Sequence, residues 1–290
     1  MKLIKALALV AATSFTLFFT LYSQAASVWK VSSDKHSLYI GGTIHILTPK
    51  DYPLPKEYDQ AYQDSNKLIF ETDMEAASQP AFLQKMMAMM TYSDGTTLDK
   101  VLDKDTYQAL AVFLSSRGVP MQAFASYKPG MVTITLSIME LQAMGYTSEG
   151  VDLFFSKLAK KDSKPQNWLE TPDDQLAFLS KMGSDDPSAM IDYTLKDIAN
   201  MKETFGKLHQ SWLKGDMPAM AEVGITPFKT DYPSIYEDLL VTRNNNWLPQ
   251  IEVMLADTPK EFILVGALHL SGPDGVLEKL KAKGYKIEKL

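Results

Sequence analysis

The same short motif occurs near both ends of this 290-residue chain. In each case an apolar, strand-like run leads into Gly-x-x-His, at Gly42–His45 and again at Gly266–His269. Short apolar runs rich in β-branched and aromatic residues are typical of buried strands, and glycine lets the backbone turn sharply or approach a ligand. The two motifs therefore predict an imidazole just beyond the end of each of two buried strands.

Open α/β sheets bind their ligands at the carboxyl ends of strands, so this placement points to a functional site. Two core histidines at strand ends are the structural alternative. The chain contains only four histidines. The repetition of one context for two of them favours function over that alternative.

The first 26 residues have the composition of a secretory signal peptide. Lys2 and Lys5 supply positive charge, residues 6–21 are apolar and uncharged, and small residues precede a cleavage point after Ala25 or Ala26. This pattern predicts a periplasmic or secreted protein. A retained membrane anchor is the alternative, because the apolar stretch approaches the length of a span. No second stretch is long enough, so no membrane span is expected after cleavage.

The composition narrows the class of protein further. The chain has no cysteine, which excludes disulfides and the lipid anchor of bacterial lipoproteins, so the core alone must stabilise the fold. The formal net charge is -6 and no run of Lys and Arg is present, so nucleic acid is not an expected partner. With 46% hydrophobic and 22% charged residues, the composition is that of a globular protein.

The order of patterns along the chain predicts an α/β fold with some α+β character. Strand-like segments lie toward both ends, as a β-hairpin at about residues 28–41 and strands at 67–70, 166–169 and 261–265. Between about residues 79 and 206 the apolar spacing is mostly helical. We therefore expect one domain over residues 27–290, with a central mixed sheet built from both termini and a large helical insertion at about 79–206.

Two of these strand-like runs are each followed by a glutamate. Glu71 follows residues 67–70, and Glu170 follows residues 166–169. If all four strand ends lie on one edge of the sheet, these carboxylates converge there with His45 and His269. Two imidazoles and two carboxylates suit Zn, Mn, Co or Fe, and they equally suit acid and base catalysis without a metal. The sequence leaves both readings open.

Further motifs accompany these residues in a fixed order: Phe70–Asp73, Glu149–Asp152, Leu169–Thr171, Trp212–Asp216, Arg243–Trp247, and Gly266–Leu270 followed by Gly284 and Tyr285. With this ordered set the chain resembles the TraB/GumN family, which is related to the Tiki proteases. The resemblance extends from Trp29 to Ile287. It implies an α/β fold with a helical insertion and divalent-metal-dependent hydrolysis of peptide bonds. One small departure is Leu268, which stands where glycine is common.

In this interpretation His45, His269, Glu71 and Glu170 are the expected metal ligands. Glu71 is also a candidate for the base that activates a water, and Arg243 for a clamp on a carboxylate or a developing oxyanion. Each of the last three has a structural alternative. Glu71 could cap the next helix, Glu170 could belong to the start of the helix that follows it, and Arg243 could form a structural ion pair.

These observations predict an exported metal-dependent hydrolase that acts on peptide bonds, with a peptide or protein as its substrate. The alternative is a non-catalytic periplasmic protein that uses the same histidine-lined cleft to bind a metal, haem or a peptide.

Two acidic residues of the motifs, Asp152 and Asp216, are expected at helix ends. The other two histidines, His36 and His209, are expected to be solvated.

Overall fold

The structure is a computed structural model, and it describes residues 26–256 and 258–290. The predicted signal peptide lies outside the described residues except for Ala26. Within the described part, six strands form one mixed sheet: β1 (Val28–Ser32), β2 (Ser37–Thr43), β3 (Lys67–Phe70), β4 (Gln166–Trp168), β5 (Glu261–Gly266) and β6 (Lys286–Lys289). Their spatial order is β4-β3-β5-β2-β1-β6. Both termini therefore share one sheet, and this prediction is confirmed.

A strand from the end of the chain is inserted between two early ones. β5 pairs in parallel with β2 on one side and with β3 on the other, which aligns Gly266 with Thr43 and Leu264 with Phe70. β4 pairs in parallel with β3, and β1 is antiparallel to both β2 and β6. The four parallel strands consequently direct their carboxyl ends to the same edge of the sheet, where α/β proteins place their ligands.

Helices account for most of the remaining chain. They are α1 (Lys56–Asp64), α2 (Met74–Ala77), α3 (Pro80–Met90), α4 (Leu98–Val101), α5 (Lys104–Ser116), α6 (Pro129–Ala143), α7 (Val151–Lys161), α8 (Pro172–Lys181), α9 (Pro187–Lys214), α10 (Met217–Met220), α11 (Thr226–Asp231), α12 (Pro233–Tyr236), α13 (Thr242–Met254) and α14 (Val276–Ala282). Short 3₁₀ turns lie at Pro49–Asp51, Met121–Phe124 and Ala267–Leu270, and π-helical turns at Ala221–Ile225 and Glu237–Val241.

The central strand β5 is buried on both faces. Phe262 and Leu264 pack against α1 and α7 on one face, whereas Ile263 and Val265 pack against α13 and α14 on the other. Because side chains alternate across a strand, a helix layer on each face requires the nearly continuous apolar run seen in the sequence. This arrangement confirms the predicted α/β fold.

The helical middle of the chain has an apolar core of its own. Leu110 of α5, Leu136 of α6 and Ile191 of α9 are fully buried in it. α9 begins where Asp186 accepts a hydrogen bond from Ala189 N, and it ends before Gly215, whose φ of 56° is the left-handed conformation that favours glycine. In the described part of the chain, no helix combines the length and the apolar character needed to cross a membrane.

Candidate active site

One edge of the sheet carries all four residues that the sequence places at strand ends. His45 follows β2, Glu71 follows β3, Glu170 follows β4, and His269 lies in the 3₁₀ turn after β5. A Cβ atom on Gly266 would lie 3.1 Å from Glu71 Oε1, 3.6 Å from His269 Cδ2 and 3.7 Å from His45 Nε2. The lack of a side chain at this glycine therefore lets three groups close around one point.

The start of α7 is docked onto the backbone of His45. Val151 N donates a 3.0 Å hydrogen bond to Ile44 O, and a side chain at Gly150 would overlap the backbone of His45. Only glycine therefore fits between the helix and the turn. This docking brings Asp152, in the first turn of α7, to 2.8 Å from His45 Nδ1.

The Asp152 carboxylate fixes the orientation and the charge of the His45 ring. Because Asp152 accepts from Nδ1–H, the other nitrogen, Nε2, faces Glu71 and Gly266 and has no hydrogen-bond partner among the described residues. The negative charge of Asp152 raises the pKa of His45 to about 9, against the opposing effect of desolvation. The side chain is 65% exposed, so solvent screens part of this attraction. A ring held in this way presents Nε2 to the cleft, as a proton donor while it is protonated and as a metal ligand once that proton is lost.

His269 is buried instead, and both of its ring nitrogens are engaged. Asn244 Nδ2 donates to the carbonyl oxygens of His269 (3.1 Å) and Asp274 (2.9 Å), which leaves Asn244 Oδ1 to accept from His269 Nδ1 at 2.7 Å. Nδ1 therefore carries the proton, and Nε2 accepts a 3.0 Å hydrogen bond from Arg243 Nη1. Burial lowers the pKa of His269 to about 3, so its ring is neutral.

Glu71 lies between the two histidines with both carboxylate oxygens bonded. Oε1 accepts a 2.6 Å hydrogen bond from Gly266 N, and Oε2 accepts from Arg243 Nη2 at 2.6 Å and from Gln175 Nε2 at 3.3 Å. Burial by itself would raise the pKa of Glu71, but the charge of Arg243 and smaller contributions from both histidines lower it to about 2. Glu71 is thus a carboxylate that stays ionised.

Arg243 joins the two glutamates. Its guanidinium contacts Glu170 through Nε, at 3.0 Å, and through Nη2, which also reaches Glu71. Trp247, one turn later in α13, donates from Nε1 to Glu170 Oε2 at 3.0 Å, and its ring centre lies 4.9 Å from the guanidinium. Since Nη1 donates to a backbone carbonyl and to His269, every N–H group of Arg243 is engaged. In this arrangement Arg243 forms a structural ion pair, and a direct contact with a substrate oxyanion stays a prediction.

The formal charges of this cluster favour a cation. Three carboxylates, those of Glu71, Glu170 and Asp152, accompany one guanidinium, that of Arg243, so the net formal charge stays negative even when His45 is protonated. In residues 26–256 and 258–290, however, no three His, Cys, Asp or Glu side chains are grouped so as to hold a metal ion. His45 and Glu71 are the two predicted ligands that line an open cleft, whose volume is about 230 Å³.

Sequence reasoning missed the roles of several residues that hold this site, three of which lie within the motifs. Asp152 does lie at a helix start, as expected, but it also holds His45. Asn244 and Trp247 hold His269 and Glu170, although both lie within a motif that the sequence singles out. The available signal was position in the helix, because residues four apart, such as Arg243 and Trp247, share one face.

The prediction that His209 is solvated is wrong. Its side chain on α9 is only 13% exposed, and its ring centre lies 5.7 Å from that of Trp212. Nε2 lies 2.9 Å from Asp51 Oδ1, although the angle does not make a hydrogen bond. His209 is therefore covered by residues distant in sequence, which the polar composition around it does not reveal.

The expected helix-end role of Asp216 is confirmed, since it accepts a hydrogen bond from Ala219 N.

The fold and the site define a class of α/β protein in which two Gly-x-x-His turns and two strand-end glutamates meet at the carboxyl edge of a mixed sheet. The chain belongs to the TraB/PrgY/gumN family, which matches it over residues 27–289 and confirms the predicted family. It is also similar to Metalloprotease TIKI2 of Danio rerio, with 21% identity over 304 residues, or 86% of this chain and 58% of the relative. The chain thus spans little more than half of that relative. No solved structure matches the chain.

Proposed function

We propose that this protein is an exported, divalent-metal-dependent hydrolase of peptide bonds. The observation that carries the proposal is the convergence of His45 Nε2, the Glu71 carboxylate and Gly266 at the open edge of the sheet. Similarity to a protein named a metalloprotease supports the same class of reaction.

A divalent cation fits this cleft by charge and by donor type. His45 would hold it through Nε2, because Asp152 already occupies Nδ1, and Glu71 would hold it through its carboxylate. When bound, the cation would lower the pKa of a water and polarise the substrate carbonyl. His269 would join as a ligand only if Arg243 left its Nε2. Glu170 fits least well, because it does not line the open cleft and its oxygens are bonded to Arg243, Trp247 and Gln175.

The other groups of the cluster hold Glu71 in place and keep it charged. Its low pKa suits a carboxylate that orients a water or holds a cation, and suits a strong base less well. Arg243 donates a hydrogen bond to one oxygen of Glu71. The His269 ring packs on the Trp247 ring, and the two ring centres lie 4.5 Å apart. These buried groups exclude water from one side of Glu71. Substrate and water can reach the carboxylate through the open cleft that His45 also lines.

Cleavage of a fluorogenic peptide library, with and without metal, tests this proposal. Protein treated with EDTA should be inactive, and added Mn²⁺, Co²⁺ or Zn²⁺ should restore cleavage. Glu71→Gln keeps the shape of the side chain and loses its charge, so metal binding and cleavage should be lost together. Glu149→Gln is the matched control, because Glu149 lies at the surface in an ion pair with Lys157.

Two results would contradict the proposal. Metal that binds the wild-type protein without cleavage of any peptide would support the non-catalytic binding protein instead. Cleavage that survives both EDTA and Glu71→Gln would remove this cleft from the reaction.

The exported location is also a proposal. It is supported by the charge and apolar pattern of residues 1–26. Mass spectrometry of the protein from a periplasmic fraction should find an N-terminus at Ala26 or Ser27. An intact N-terminal segment in the membrane fraction would support the retained anchor.

A further inference from the structure

A second cavity lies beside the turn that carries His269. Its volume is about 540 Å³, and it lies between α6, α9 and residues 221–231. One face of α9 forms its longest wall, which includes Tyr193, Asp197 and Phe205, and Phe228 contributes from α11. Aromatic and aliphatic side chains therefore dominate a wall that also contains a carboxylate.

Leu268 connects this cavity to the proposed active site. Its side chain lines the cavity, and a Cβ atom on Gly224 would lie only 2.7 Å from Leu268 Cδ2. The next residue is His269, and Cα atoms of consecutive residues are about 3.8 Å apart. The cavity therefore adjoins the turn that carries His269.

The Asp197 carboxylate lines this cavity and is half-buried. Within the described residues it makes no hydrogen bond or ion pair, and burial alone raises its pKa. Tyr193 lies one turn earlier on the same face of α9. Burial and then the charge of Asp197 raise the pKa of Tyr193 to about 12. Lys196 and Asp231 also line the cavity, and both are exposed to solvent. The half-buried part of the wall therefore presents a carboxylate that has no hydrogen-bond or ion-pair partner among the described residues.

We propose that this cavity receives the basic side chain of a peptide substrate, with Asp197 as the partner of its ammonium or guanidinium group. This proposal rests on the proposed peptidase function. The alkyl stem of Lys or Arg would lie along the apolar wall, and its charged head would reach the carboxylate beside aromatic rings. A purely apolar side chain would cover Asp197 without giving it a partner, which opposes its binding.

Binding of dansylcadaverine, which combines an aromatic ring, an alkyl chain and an ammonium group, tests the cavity without turnover. The experiment uses the full chain with the substitution His45→Ala, so that hydrolysis does not interfere. We expect saturable binding by dansyl fluorescence and about tenfold weaker affinity when Asp197→Asn is added. Asp192→Asn is the matched control, because Asp192 is an exposed acid on the same helix that does not line the cavity.

Two further comparisons separate charge from shape. N-acetylated dansylcadaverine lacks the ammonium, so the cavity with Asp197 should bind it no more tightly than the Asp197→Asn cavity does. Thr204→Trp adds a large ring to the cavity wall and should block the amine. Equal affinity of the amine for the protein with and without Asp197→Asn would overturn the proposal, and so would binding that persists in Thr204→Trp.

Cleavage of two peptides that differ only by Lys or norleucine beside the scissile bond separates this proposal from the proposed function. We expect the wild type to cleave the Lys peptide faster, Asp197→Asn to lose that preference, and Asp192→Asn to keep it. If neither peptide is cleaved but the amine binds in an Asp197-dependent way, the peptidase function fails and the basic-ligand cavity stands. Equal cleavage of both peptides by the wild type would overturn the selectivity while the hydrolase stands.

Discussion

The two Gly-x-x-His turns share a motif and a sheet edge, yet their histidines have opposite environments. The His45 side chain is 65% exposed, pairs with the Asp152 carboxylate and keeps Nε2 free. His269 is 8% exposed, pairs with the Asn244 amide and has Nε2 bonded to Arg243. The pKa of His45 is raised to about 9, whereas that of His269 is lowered to about 3.

This difference teaches that the motif determines where an imidazole lies but not what it can do. The strand end and the glycine position each ring. The group bonded to Nδ1 then decides its charge, because a carboxylate stabilises the protonated ring and a neutral amide in a buried site does not. We therefore interpret His45 as the side chain that meets ligands, and His269 as part of a buried frame around Glu71 and Arg243.

Removal of Arg243 should have the largest effect on that frame. Arg243→Met leaves Glu71 and Glu170 buried without their shared cation, so the free energy of unfolding should fall by about 3–5 kcal/mol and hydrolysis should be lost. Arg117→Met is the control, since the chain's other arginine pairs with Glu140 nearer the surface, where such pairs contribute about 0–1 kcal/mol. Urea denaturation measures both. Equal small losses would show that the frame does not depend on Arg243.

Loss of the buried histidine should be the next largest effect. His269→Ala leaves a cavity beside Trp247 and an unpaired group on Asn244, so we expect the free energy of unfolding to fall by about 2–4 kcal/mol. His36→Ala, at a half-buried position in the turn of the β-hairpin, should change it by less than about 0.5 kcal/mol. A similarly small change for His269→Ala would place His269 outside the frame.

The opposite end of β5 provides a test of burial by pH. Glu261 begins that strand, and its buried Oε2 makes no hydrogen bond among the described residues. Burial raises the pKa of Glu261 from 4.5 to about 7, despite the opposing charge of Lys67. The folded protein therefore keeps a proton that the unfolded chain releases at lower pH. This contribution to stability is fully present below about pH 4.5 and is lost as the pH rises through about 7.

Glu261→Gln should remove this dependence, which amounts to a change on the order of 2 kcal/mol in the free energy of unfolding. Glu222→Gln, at an exposed position, should keep it. Thermal midpoints measured across this pH range compare the three proteins. A wild-type stability that rises with pH, over the range in which Glu261→Gln differs from the wild type, would show that burial does not control this carboxyl group.

The exposed histidine should matter least for stability and most for ligand binding. We expect His45→Ala to change the free energy of unfolding by less than about 1 kcal/mol, because the ring is largely in solvent. The His45→Ala variant should nevertheless lose metal binding and hydrolysis. Asp152→Asn removes the charge behind the ring and should weaken metal affinity by about 10–100-fold. Calorimetric titration with Mn²⁺ checks both variants, and unchanged affinity in His45→Ala would reject His45 as a ligand.

Much of the sheet could be predicted because the ends of its strands are marked locally. Apolar runs that end in glycine or glutamate identify β2, β3 and β5 from neighbouring residues alone. The helix start after Glu170 is equally local, since Thr171 accepts a hydrogen bond from Asp174 N as an N-cap does. These features need no knowledge of the rest of the fold.

The roles around the site could not be predicted, because they depend on residues far apart in the chain. Glu71 and Gly266 are separated by 195 positions, and His45 and Asp152 by 107. Periodicity of apolar residues reports which face of an element is buried, but not which element covers it. The unequal exposure of the two histidines therefore depends on α13, which packs against His269.

NMR spectra of the imidazole nitrogens in isotope-labelled protein test the difference between the two histidines most directly. With four histidines in the chain, single substitutions assign every ring. At neutral pH we predict a neutral His269 with its proton on Nδ1 and a protonated His45, and added Zn²⁺ should shift Nε2 of His45 without shifting His269. A His269 ring that titrates near its ordinary pKa of 6.5, or that responds to zinc while His45 does not, would contradict this account.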